Sequence, residues 1–176
     1  MDILSLYIQD KNILALMSKI VASFSSTGKG VGLPLGNLTS QLLVNIYMNE
    51  FDQFVKHRLK AKYYIRYADD FVIMSPNREW LIGILPLIRK FLSERLKLQL
   101  HPNKVSIRTV ASGVDYLGWV HFPDHRVLRT ATKRRMLKAV SNSLASGPKP
   151  EALASYLGML KHGNAHKLSI LVSSSF

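Results

Sequence analysis

The twelve residues 63–74, YYIRYADDFVIM, constrain this chain more than any other stretch. Tyr63, Tyr64, Ile65 and Tyr67 form one run and Phe71, Val72, Ile73 and Met74 a second, and β-branched and aromatic residues are what packed strands are made of. Between the runs stand two adjacent carboxylates, Asp69 and Asp70. Like charges side by side at a hairpin tip repel, and the nearest cation in sequence, Arg66, lies three residues before Asp69. Aspartate is common in turns, so a polar β-turn is the simple reading. The functional reading is a divalent ion, because hard carboxylate oxygens bind Mg²⁺ or Mn²⁺ and the ion removes the repulsion.

With 176 residues, 47% of them apolar, the chain can bury a core of its own or form part of a larger domain. No run approaches the roughly 18–20 uninterrupted apolar residues of a membrane span. The opening MDILSLYIQDK lacks the basic start and cleavage site of a signal peptide. The absence of cysteine excludes disulfides, thiolate zinc sites and a Cys nucleophile, and agrees with a cytoplasmic protein. The net charge is +13, from 24 Lys and Arg against 11 Asp and Glu, and from Arg126 onward nine basic residues face one acid, Glu151. Cations interleaved with apolar residues point to a surface that follows a phosphate backbone, with anionic membrane or a plain solvated face as the alternatives.

Residues 3–24 carry apolar side chains at mainly helical spacings, for one or two helices. Residues 25–37, SSTGKGVGLPLGN, read as a glycine-rich loop. A helix over about 38–59 follows, with Asn37, Thr39 or Ser40 as its cap and Leu42, Leu43, Ile46, Phe51, Phe54 and Val55 on its buried side. After the hairpin, helical spacing runs from Trp80 to Leu96, interrupted by Pro86, which is expected to kink it. Two short strands are expected around HPNK in residues 98–110, then a β-hairpin from Asp115 to about Leu128. Basic helix 130–144, a GPKP hinge at 147–150 and a last helix over 151–161 close the pattern. Hairpins alternating with helices indicate an α+β layer, an antiparallel sheet with helices on one face.

Four stretches, in this order, resemble the motifs of a reverse transcriptase palm: GLPLGNLTSQ at 32–41, YADD at 67–70, LQLHPNKV at 98–105 and YLGW at 116–119. Four motifs in order are far more specific than YADD alone. The resemblance covers roughly residues 1–165. Leu35-Gly36-Asn37-Leu38-Thr39-Ser40-Gln41 stands where most group II intron and retron enzymes carry Gln-Gly-x-x-x-Ser-Pro, and with SYLGMLKHGN at 155–164 it is similar to bacterial enzymes of diversity-generating retroelements and group II intron-like lineages.

The resemblance implies a partial polymerase palm over 1–128 and a basic, helical, thumb-like segment over 129–176. It implies RNA-directed DNA polymerisation, with an RNA template, a DNA primer, deoxynucleoside triphosphates and two Mg²⁺ or Mn²⁺ ions, no membrane, and room for a small basic accessory protein. Asp69 would be the main metal ligand. Successive strand side chains face opposite ways, so Asp70 would ligate less directly or support the site. Lys104 would meet the leaving pyrophosphate. Gly32 and Gly36 would let backbone approach template and nucleotide, Gln41 would contact the template strand or the nascent pair, and Tyr67 and Ala68 would lie near the primer end. Tyr116, Leu117 and Gly118 would shape the primer grip, and Arg129, Lys133, Arg134, Arg135 and Lys138 would meet phosphates. Read without the family, Gln41 and Lys104 are ordinary surface side chains and the Tyr–Leu pair ordinary core.

One departure matters. A polymerase palm carries a third carboxylate in an Asp-x-x-x-Phe-Phe strand, and nothing like it is present; Asp2 and Asp10 lie in helical sequence without those aromatics. The expectation is therefore a polymerase domain incomplete at its N-terminus and inactive alone, with a non-catalytic RNA- or DNA-binding module as the alternative.

Overall fold

The computed structural model describes residues 1–23, 38–146 and 150–173. The glycine-rich loop, with Gly32, Gly36 and the candidate cap Asn37, and most of the GPKP hinge lie outside the described residues. The chain is α+β and divides into two compact units, Met1–Val105 and Ser106–Phe176.

The first unit opens with α1 (Asp2–Tyr7) and α2 (Lys11–Ala22). Asp10 caps α2, its carboxylate accepting from the Asn12 and Ile13 amides at 2.7 and 3.2 Å, which is the ordinary work of an N-cap aspartate. α3 (Leu38–Gln53) passes into a π-helical turn at Phe54–Arg58. The hairpin follows as β1 (Tyr63–Tyr67) and β2 (Asp70–Met74), antiparallel, in the register Tyr67↔Asp70 to Tyr63↔Met74. Asn77 then caps α4 (Arg78–Arg95) by accepting from the Trp80 amide at 2.9 Å. α4 runs unbroken past Pro86, whose exposed position leaves the freed carbonyl of the preceding turn open to water.

The core of this unit forms where α3, α4 and the inner face of the hairpin meet. Met48, Phe51 and Val55 pack with Ile84, Ile88, Leu92 and Leu96, and Tyr64, Phe71 and Ile73 cover them from the hairpin. Phe51 is fully buried, with ring contacts to Phe54, Tyr64, Phe71 and Phe91. The Tyr47 hydroxyl donates to the Leu96 carbonyl, tying α3 to the end of α4.

Two expectations are corrected here. Leu42 belongs to the solvent side of α3, 57% exposed; Met48 takes the buried place. Residues 98–105 contain no strand. The Leu98 amide is spent on the Leu92 carbonyl at 2.9 Å, closing a left-handed helix end at Lys97. A turn then closes from the Lys104 amide to the His101 carbonyl at 3.1 Å.

The second unit carries a three-stranded antiparallel meander of β3 (Val114–Tyr116), β4 (Trp119–His121) and β5 (Arg126–Leu128), where one hairpin was expected. Residues 106–113, the rest of the expected strand pair, hold only a short 3₁₀ turn at Val110–Ser112. α5 (Thr130–Ser146), α6 (Pro150–Leu160) and α7 (His166–Ser173) complete the unit, α7 being a helix the sequence pattern did not indicate. Trp119, Leu128, Met136, Val140, Leu160, Ala165 and Val172 form its core. The meander therefore packs with the helices that follow, within the unit Ser106–Phe176.

Candidate active site and nucleic-acid interface

The register of the hairpin fixes what its tip can do. Tyr67 pairs with Asp70, so Ala68 and Asp69 alone make the turn. Ala68 has φ 53°. Two-residue hairpin loops need a positive φ here to match the strand twist, and an L-residue pays about 1–2 kcal/mol for it. Asp69 is exposed at the apex. Asp70 starts β2, also exposed, and shares the outward face with Tyr67, Ile65 and Tyr63, which are exposed in the same alternation. The two carboxylates thus differ in position, Asp69 in the turn and Asp70 on the outward face of β2.

Arg66 points the other way, into the unit, and holds the turn. Its Nε and Nη2 donate to the two carboxylate oxygens of Asp52 on α3, at 2.8 and 2.6 Å. Its Nη1 donates to the Asn45 side-chain oxygen at 3.2 Å and to the Ala68 carbonyl at 2.7 Å. The guanidinium therefore grips the peptide that joins Ala68 to Asp69 and binds it to the body of α3. Tyr64, two residues earlier on the same face, donates to Asp52 at 2.6 Å. Burial alone would raise the Asp52 carboxyl, but the hydrogen bonds from Arg66 and Tyr64 and the Arg66 charge outweigh it and hold the group below its ordinary value. Burial and the neighbouring Asp52 push the Tyr64 phenol well above its usual range, and the Asp52 hydrogen bond raises Arg66 further. Tyr64 stays neutral and Arg66 charged under any ordinary condition.

This brace is what sequence reasoning missed. Asp52 and Arg66 lie on different elements, and nothing in their spacing joins them; only the packing of Phe51 under the hairpin brings them together.

Asp69 and Asp70 offer hard oxygens suited to Mg²⁺ or Mn²⁺. Among the described residues no group of three His, Cys, Asp or Glu is placed to hold a metal. Lys104 is exposed on its own turn and no hydrogen bond or ion pair joins it to either aspartate. Gln41 is exposed on the first turn of α3.

In the second unit, Leu117 and Gly118 form the two-residue turn between β3 and β4, with φ 52° and 84°. Leu117 stands 45% exposed at the tip. Arg129 braces this turn: its amide donates to the Gly118 carbonyl at 3.0 Å and its Nη2 pairs with Asp115 at 2.7 Å. Its charge is therefore partly committed inside the unit. Lys133, Arg134, Arg135 and Lys138 are exposed along α5, while Met136 and Val140 of the same helix are buried, so α5 turns its cations to solvent.

No helix among the described residues is long and apolar enough to cross a membrane. Over a 142-residue alignment covering 62% of this chain, the sequence is 30% identical to Protein YkfC of Escherichia coli (strain K12), of whose length it spans 36%. The family model described as Reverse transcriptase (RNA-dependent DNA polymerase) matches residues 8–121, a span that takes in the Ala68–Asp69 turn, the Lys104 turn and the Leu117–Gly118 turn alike. The chain belongs to the reverse transcriptase family.

Proposed function

We propose that this chain supplies the YADD turn, the primer-grip hairpin and a phosphate-binding helix to an RNA-directed DNA polymerase that extends a DNA primer on an RNA template. The observation that carries the reading is the Asp69 apex, held by Arg66 on a strained two-residue turn. A turn that served only to reverse the chain would meet its positive φ with Gly or Asn and needs no side chain dedicated to its carbonyl.

Bound divalent ions would supply charge stabilisation for the attacking and leaving oxygens, with Asp69 as the principal ligand from this chain and Asp70 supporting it. Arg66 and Asp52 keep the turn in place. Leu117 and Gly118 present backbone to the primer, and Lys133, Arg134, Arg135 and Lys138 hold phosphates. Lys104, Gln41, Tyr67, Ala68 and the Gly32–Gly36 loop keep the roles that the resemblance implies, Tyr116 supports the grip turn, and the site of action is the cytoplasm.

The second reading is a non-catalytic nucleic-acid-binding module, favoured by the pair, rather than triad, of carboxylates among the described residues. Primer extension and filter binding separate the two. The 176-residue chain should bind primer–template and extend nothing, and the same chain joined to fingers and a strand bearing Asp-x-x-x-Phe-Phe should extend with Mg²⁺ or Mn²⁺. In that joined protein Asp69→Asn should abolish synthesis and leave binding nearly intact. Full activity of Asp69→Asn would remove the turn from the chemistry.

A further inference from the structure

Six histidines are scattered through the sequence without a metal-ligand spacing. The fold gathers three of them. His121, His125 and His162 line one cleft of about 520 Å³ in the second unit, together with Arg126, Lys161 and a single acid, Asp124. The walls are the turn after β4 and the turn between α6 and α7, and both are fixed. The first is closed by the Phe122 amide donating to the His125 carbonyl at 2.8 Å, and the Phe122 and His125 rings stack at 4.6 Å. The second is locked to β5 by the Asn164 amide donating to the Arg126 carbonyl at 2.9 Å and the Arg126 amide donating back to the Asn164 side-chain oxygen at 3.3 Å. Gly163 lies flat on Trp119; a Cβ there would stand 2.1 Å from the indole, so this position admits no side chain. The Arg126 guanidinium lies 5.6 Å from the centroid of the same indole, an arrangement that holds a cation in place without neutralising it.

The chemistry of the lining selects the ligand. Arg126 and Lys161 carry fixed positive charge, and the one carboxylate, Asp124, is engaged by His125 Nδ1 at 2.8 Å. His121 Nε2 donates to the Tyr116 carbonyl at 3.3 Å, so its Nδ1 offers an N–H to an anion when the ring is protonated. A metal cation is disfavoured by the two cations, and no three ligating groups here are placed for one. An anion with several acceptor oxygens suits converging N–H donors, and a phosphate is the anion that guanidinium, ammonium and imidazole groups bind best together.

We propose that this cleft is a phosphate-binding site that seats one backbone phosphate of a nucleic-acid strand. Capture of phosphate follows from the lining alone; its source, a strand rather than a free ion or nucleotide, rests on the polymerase reading.

The test is made on the 176-residue chain by following the six histidine ring resonances. Inorganic phosphate should move His121, His125 and His162 and leave His57, His101 and His166 as internal controls. A ten-nucleotide single-stranded RNA should move the same three at lower concentration. Arg126→Gln removes the guanidinium that lies over Trp119 and can loosen the turn, so the decision falls to Lys161→Gln, an exposed side chain with no bond to lose. It should weaken phosphate capture about tenfold, the value of one charged hydrogen bond, and lower the salt slope for RNA by about one. Cleft histidines that phosphate moves no more than the controls would overturn the site. Response to phosphate or a nucleotide without response to RNA would overturn the strand as its source. A chain that seats RNA here yet fails in primer extension once joined to fingers and an Asp-x-x-x-Phe-Phe strand would cost the polymerase reading and leave this one standing.

Discussion

Replacing Asp52 by asparagine keeps the shape of the brace and removes the charge that Arg66 faces. Arg66 keeps only 10% of its side chain exposed and Asp52 28%. Breaking a buried ion pair leaves an uncompensated charge and costs about 3–5 kcal/mol, and the exposure of Asp52 places this pair near the lower bound, at about 3 kcal/mol. Tyr64 also loses the stronger acceptor. The loss should be read by urea unfolding with Trp80 as reporter, in a Trp119→Phe background that silences the other tryptophan; with m about 2 kcal/mol/M the midpoint should fall by about 1.5 M. The double variant Asp52→Leu with Arg66→Met should recover most of the loss, because the pair is then replaced by apolar side chains rather than broken. A shift of less than about 0.5 kcal/mol for Asp52→Asn, the size of an ordinary surface change, would refute the brace.

Acid should weaken the same unit. The Asp52 carboxyl is depressed in the folded state below 3.8, so its contribution is complete above that value and is lost as pH falls through the folded value; the Trp80 midpoint should drop in that window, and less steeply in Asp52→Asn. Gly163→Ala forces a methyl onto the Trp119 ring and should destabilise the second unit by at least about 1–3 kcal/mol, seen at Trp119 fluorescence with the Trp80 transition unmoved. Replacing Lys133, Arg134 and Arg135 together should lower the slope of log binding constant against log salt by about three for primer–template; an unchanged slope in filter binding would place the strand elsewhere.

The hairpin was legible because strand composition and a two-residue tip are local properties, and α4 because its apolar residues repeat over 18 positions. The family was legible because its motifs are short and ordered. Residues 98–110 misled because Leu98, Leu100, Val105 and Ile107 have strand-like spacing, yet a strand requires a neighbour, and here the first amide closes the end of α4 instead. α7 was missed because it is only eight residues long: Leu168, Leu171 and Val172 do stand at helical spacing, but Ile170 and Leu171 are exposed and only Val172 is fully buried. Leu42 was misplaced because α3 presents apolar residues on more than one side, and the period alone does not say which side meets α4. The histidine cleft and the Asp52–Arg66 pair were invisible because each joins distant residues through turns that sequence spacing does not encode.

The Arg66 grip also has a temporal meaning. Its partners lie fourteen and twenty-one residues upstream and two downstream, so every loop it closes is short and carries a small closure entropy. Contacts of this range form early in a folding chain. During synthesis the apex would be set once residue 74 has cleared the ribosome and the Phe51 ring has found Phe71. The carboxylates would then wait, already aimed, while the meander and the basic helices were still being made.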